Sequence, residues 1–168
     1  MTHLVLSVVG DDRTGLVSAL ADAVAAHGGN WERSELAELA GAFAGIVLVS
    51  VPDARAAELT EALRGLDGLL RVTTHTGTPA TSPSGRSLTF TVLGNDRPGI
   101  VRDVTTAISA HALSIDGFTS RTLEAPMAGG TLFEATVTVR MSEHADEAPV
   151  ITALERLADE IQVDLSVG

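Results

Sequence analysis

A nine-residue word occurs twice in this chain, and any fold assigned to it must accommodate the duplication. Val9-Gly10-Asp11-Asp12-Arg13-Thr14-Gly15-Leu16-Val17 returns 84 residues later as Leu93-Gly94-Asn95-Asp96-Arg97-Pro98-Gly99-Ile100-Val101. The register extends past the word, since His27 aligns with His111, Asn30 with Ser114 and Trp31 with Ile115. A fixed offset of this kind means two copies of one module, and 168 residues leave room for two small domains. Thr76 to Gly85 is a polar Pro/Gly/Ser/Thr stretch without apolar periodicity. It predicts modules over residues 1–78 and 87–168, joined by a linker at 79–86.

Each copy repeats one order of patterns. In the first, His3 to Val9 reads as a strand ending at Gly10. Leu16, Val17, Leu20 and Val24 recur at helical spacing until His27-Gly28-Gly29 stops the run. Trp31 to Leu39 and Ala42 to Val51 read as strands around a turn at Ala40-Gly41. Ala56, Leu59, Leu63 and Leu66 make a second helical face, and Leu69 to Thr76 returns to strand. The second copy gives a strand over Leu88 to Leu93, a helix over Pro98 to His111 and strands over Ser114 to Leu123 and Gly130 to Met141. A helix carrying Val150, Ile151, Leu154 and Leu157 and a strand over Ile161 to Val167 follow.

Both copies therefore read βαββαβ. The predicted fold class is α+β: two tandem ferredoxin-like modules, each an antiparallel four-stranded sheet with its helices on one face. So small a module cannot leave a whole sheet face bare without cost. Phe43, Ile46 and Leu48, with Phe133, Ala135, Val137 and Val139, are the apolar strand residues expected to meet the other copy or a second chain.

Composition narrows the function. The net charge is -11, all 11 basic residues are Arg, and there is no Cys or Tyr. Without lysine, Schiff-base chemistry is excluded, and without cysteine so are thiolate ligands and thiol nucleophiles. An acidic chain with few aromatic rings is poorly suited to nucleic acid. No apolar run is long enough to span a bilayer and no signal-like leader opens the chain, so a cytoplasmic location without membrane contact is expected. His3, His75 and His144 are scattered, and His27 and His111 read as helix-end residues rather than metal ligands. No metal or cofactor is expected.

The turn Asn95-Asp96-Arg97-Pro98-Gly99-Ile100 supports two readings. In one it is structural: Asp96 caps the helix, Pro98 occupies its first turn, and Gly99 lets helix approach sheet. In the other, the amides of Gly99 and Ile100 meet a carboxylate at the helix N-terminus, while Asn95 or Asp96 accepts from an ammonium group. An amino acid fits both ends.

This turn, the βαββαβ order and the duplication together resemble the ACT domain, over nearly the whole chain. The resemblance implies a regulatory rather than catalytic module, pairing through sheets or edge strands, with amino acids bound near the turn. Carried onto this chain, it points to Asn95, Asp96, Pro98, Gly99 and Ile100, and in the first copy to Asp11, Asp12, Gly15 and Leu16. Thr14 departs from the family proline, so the first turn is expected to differ in geometry or in binding. Two copies with no further domain resemble the glycine cleavage system transcriptional repressor group. That implies a sensor acting through a protein partner, as a homodimer, in transcriptional regulation of amino-acid metabolism. A ligand-free interaction scaffold is the alternative. An acylphosphatase-like enzyme, using Arg13 or Arg97 with Asn30 or Asn95, is disfavoured because Asp11 and Asp12 would repel a phosphate. Strand-two residues near Ser114, Asp116 and Phe118 are expected to choose the ligand.

Overall fold

Alternation of apolar and polar residues over ten positions makes the opening segment a strand with one buried face: Leu4, Leu6 and Val8 point into a core and their neighbours do not. This strand is β1, Thr2–Asp11, in a computed structural model that describes residues 1–77, 85–111, 113–125, 129–142 and 144–156, together with the backbone of 161–167. The chain divides into two compact units, Met1–Thr81 and Ser82–Gly168. The expected linker lies outside the described residues apart from 85 and 86.

In the first unit β1 is followed by α1 (Leu16–Ala26), β2 (Asn30–Leu39), β3 (Ala42–Val51), a short 3-10 turn at Asp53–Arg55, α2 (Ala56–Arg64) and β4 (Arg71–Thr76). The second holds β5 (Arg86–Asn95), α3 (Ile100–Ser109), β6 (Ser114–Glu124), β7 (Thr131–Met141), α4 (Ala148–Arg156) and β8 (Ile161–Val167). The strand orders are β2-β3-β1-β4 and β6-β7-β5-β8, antiparallel throughout. The predicted βαββαβ order and α+β class thus hold in both units.

One face of each sheet carries the helices. Leu16, Leu20 and Val24 of α1 and Leu59 and Leu63 of α2 close over Leu4, Leu6, Val8, Val47, Val49 and Val51. In the second unit Ile100, Val104 and Ile108 with Val150 and Leu154 cover Leu88, Phe90, Val92 and the inward residues of β7. The two clusters have no member in common.

The register corrects part of the expected association surface. Phe133, Ala135, Val137 and Val139 are buried beneath the helices of their own unit, and Phe43 packs against its own core. Ile46 and Leu48 do lie on the outer face, because β-strand parity places them opposite to Val47 and Val49. The outer faces of the two units differ in chemistry. β1–β3 pairing sets Val5 beside Leu48 and Val9 beside Ala44, whereas β5–β7 pairing sets Thr89 beside Thr138 and Thr91 beside Thr136.

The duplication persists in irregular detail. A bulge between Trp31 and Arg33 in β2 recurs between Ile115 and Gly117 in β6. Gly10 pairs with Phe43 and Gly94 with Phe133, so the repeat offset widens from 84 to 90 across a longer second hairpin. Each unit also ties the start of its first strand to the approach of its second helix. The Met1 amino group and Thr2 hydroxyl bond Asp53 at 3.1 and 2.8 Å, and Arg86 bonds Glu147 at 2.8 Å.

Candidate functional site

The repeated word folds into the turn that leaves the first strand and enters the first helix. Gly15, with φ 91° and ψ 2°, and Gly99, with φ 87° and ψ 0°, take the left-handed conformation at the N-cap. A Cβ at Gly15 would meet nothing within 4 Å, and one at Gly99 only the end of the Arg102 side chain. Glycine is thus required here by backbone sign, not by the helix–sheet approach expected from the sequence.

The helix start is corrected too. α3 begins at Ile100, after Pro98, and no side chain caps it, so Asp96 is not the N-cap. Asp96 instead uses its backbone, its N–H donating to the Thr131 carbonyl at 2.8 Å, as the Asp12 N–H does to the Gly41 carbonyl at 2.9 Å. Each turn is thereby fastened to the tip of its unit's hairpin, β2–β3 in the first and β6–β7 in the second. Gly15 and Gly99 accept the first helical hydrogen bonds, from Ala19 at 2.9 Å and Asp103 at 3.0 Å. The Ile100 N–H expected to meet a ligand is turned to the Arg97 carbonyl at 3.3 Å. In an α-helix the next amides, Val101 and Arg102 in α3 and Val17 and Ser18 in α1, have no intrahelical acceptor. With Thr14 in one turn and Pro98 in the other, the two share the left-handed N-cap glycine and the backbone anchor to the hairpin, while the Ile100 N–H bond to the Arg97 carbonyl belongs to the second turn.

The candidate residues separate by burial. Asn95, Asp96, Pro98 and Gly99, like Asp11, Asp12 and Gly15, are exposed around the turns, while the Ile100 and Leu16 side chains are buried core members. Electrostatics distinguishes the two turns. Arg97 donates to Asp103 at 2.7 Å, and Arg102 lies 3.3 Å from the other Asp103 oxygen. The hydrogen bond from Arg97 holds the Asp103 carboxyl below the ordinary aspartate range against a smaller opposing effect of burial. Ala19 occupies the equivalent place in α1, and Arg13 lies 3.5 Å from Asp11 instead.

Ser114, Asp116 and Phe118 do not join the turn of their own unit. Ser114 pairs with Arg140 and so with the beginning of β5, whereas Asn95 at its end pairs with Leu132, beside Leu123 of β6. Asp116 is engaged by Arg140 at 2.6 Å, and Phe118 leans on the core. Sequence reading missed Gly41 and Thr131, which anchor the turns through backbone oxygens that any residue type supplies. His27 sits at the α1 end as expected, its ring Nδ1 2.7 Å from the Ala23 carbonyl. Among the described residues no group of three His, Asp or Glu gathers as a metal site, and no helix is long and apolar enough to cross a membrane.

Comparison with known proteins places both units. Residues 2–76 and 88–160 each match a model of the ACT domain. The glycine cleavage system transcriptional repressors of Escherichia coli (strain K12) and Shigella flexneri are each 29% identical over 170 residues, covering 99% of this chain and 89% of theirs. Among solved structures, an unknown protein from Galdieria sulphuraria is 31% identical with a TM-score of 0.86, covering 99% of this chain and 98% of that one. A crystal structure assigned to a glycine cleavage system transcriptional repressor shares the fold, with a TM-score of 0.75 at 17% identity over 99% of this chain and 98% of its own. The chain belongs to the ACT-domain family, carries two ACT domains in tandem, and is related to the glycine cleavage system transcriptional repressor.

Proposed function

We propose that this protein is a non-catalytic regulator that binds an amino acid at its strand-to-helix turns and passes the signal on by protein–protein contact, in transcriptional control of amino-acid metabolism in the cytoplasm. The observation that carries this reading is the agreement of the two turns in backbone conformation, with φ within a few degrees at Gly15 and Gly99 and the same hairpin anchor. Free helix amides beside Asp12 or Asp96 offer donors to a carboxylate and an acceptor to an ammonium group. The acidic, lysine-free surface agrees with action through a partner protein rather than on DNA. Homodimerisation is part of the proposal, supported by the apolar outer face of the first sheet, where Ile46 is half exposed.

The test is calorimetric titration of the full chain with each of the twenty amino acids, repeated on Asp12→Ala and Asp96→Ala. Saturable binding of one amino acid, weakened in either variant, supports the sensor. A ligand-free scaffold is the second reading, favoured by the Arg97–Asp103 pair, which already supplies the α3 N-terminus with a carboxylate. Absence of binding across the whole set would select it.

A further inference from the structure

Apolar side chains that reach solvent gather on one sheet face of this chain. Antiparallel register puts Val5, Val9, Ile46 and Leu48 on the outer side of β1 and β3, with Leu39 on the same side at the hairpin end of β2. Val9 is 44% exposed, Ile46 50% and Leu39 80%. Among the described residues the outer face of the second sheet has no exposed large apolar side chain, and Thr89, Thr91, Thr136 and Thr138 hold its centre. The apolar match for the first face is another copy of that face. Four strands about 4.8 Å apart and about 25 Å long present roughly 500 Å² per copy, so two copies reach the total of about 1,000 Å² that a specific interface needs.

The two edges of this face differ in charge. β4 carries Arg71 beside Val9 and His75 beside Val5, and no acid. Arg71 is exposed and enters no ion pair among the described residues. Asp11, at the end of β1, lies 3.5 Å from Arg13 instead. On β2, Glu35 stands beside Ile46 and Arg33 beside Leu48, 3.1 Å from each other. Glu32, at the bulge, lies 3.5 Å from His3, so the β2 edge holds two acids against one arginine.

Two such faces packed with aligned strands are related by a two-fold axis that runs either across the strands or along them. An axis across the strands lays β4 on the partner's β4, where Arg71 meets no acid. An axis along the strands lays β4 on the partner's β2, and the β1 valines on the partner's β3. We infer that the chain pairs with a second copy through the outer face of its first sheet, the two-fold running along the strands, with Arg71 of each copy set against Glu35 of the partner subunit. The inference rests on the homodimer reading above and adds to it the axis and the charged contact that selects it.

The experiment is sedimentation equilibrium of the full chain, of Arg71→Glu, Glu35→Arg and the double variant, and of Ile46→Lys. Arg71 and Glu35 are both exposed, so neither reversal disturbs a core. Each reversal alone is expected to raise the dimer dissociation constant about fivefold or more, because like charges replace opposite ones, and added salt to shrink that difference. The double variant restores the contact with its signs exchanged and brings the constant back to within about threefold of that of the unaltered chain. Single reversals that change nothing, or that weaken the dimer without rescue in the double variant, overturn this arrangement. Dissociation by Ile46→Lys in that case keeps the dimer on this face. A chain that sediments as a monomer at every concentration removes the homodimer reading and this arrangement together.

Discussion

Arg97 Nη1 lies 2.7 Å from Asp103 Oδ2, joining the strand-to-helix turn of the second unit to the first turn of its helix. Asp103 is the carboxylate that a helix N-terminus favours, and Arg97 reinforces it. Its folded-state pKa is held below the ordinary value, so the pair's stabilisation is present at neutral pH and is lost as pH falls through that lowered pKa. Titration of the Asp103 carboxyl carbon by NMR is expected to give a midpoint below that of an ordinary aspartate, with Arg97→Gln moving it upward. An unchanged midpoint in the variant would mean that the ion pair does not form in solution.

The N-cap glycines give a second prediction. Gly15→Ala has open space for its methyl group, so its cost is conformational, about 1–2 kcal/mol for a left-handed non-glycine residue. Gly15→Asn should cost less, because asparagine tolerates this region. Urea denaturation of the three proteins measures the difference, and an alanine variant as stable as the unaltered chain would contradict the helix start described above.

Separate cores give a third. Phe90 is wholly buried in the second cluster and Leu6 in the first. Phe90→Ala is expected to destabilise by about 3–5 kcal/mol and Leu6→Ala by about 2–5 kcal/mol. In hydrogen exchange followed by mass spectrometry, protection should fall first in residues 86–156 for the former and in 2–76 for the latter. Equal loss over both units in either variant would argue against two cores.

The bare sheet face gives a fourth. Ile46 is 50% exposed on the outer side of β3, with Leu48 and Val5 on the same face. If copies of the chain associate through that face, Ile46→Lys should lower the sedimentation coefficient at micromolar protein, whereas Thr136→Lys on the threonine-rich second sheet should not. Identical sedimentation of Ile46→Lys and the unaltered chain would exclude this face from any dimer.

Much of the fold was legible because strand parity and helical spacing are local properties of the sequence. Leu16, Leu20 and Val24 are the buried stripe of α1 as their spacing predicts. The Asp-Arg-x-Gly turn was legible as a turn but not in its mechanics. Aspartate and proline are good helix-start residues in general, yet here a left-handed glycine makes the start and Asp96 contributes only its amide. Outer and inner faces were confused in β7 because Phe133 to Val139 alternates with threonine and glutamate, and alternation alone does not say which side the helices cover.

The sequence by itself determined the duplication, the βαββαβ order and the chemistries closed to the chain, since repeats, periodicities and missing residue types need no third dimension to be read. Tertiary structure decided what lies beside each turn. Antiparallel pairing carries Ser114 to the far end of the sheet from Asn95 and brings Thr131 next to Asp96, and the fold of α2 onto β4 sets Asp67 and Arg71 around the same cleft as Arg13. Asp96 and Thr131 are distant in the chain, and only the hydrogen-bonded register of the sheet brings them together.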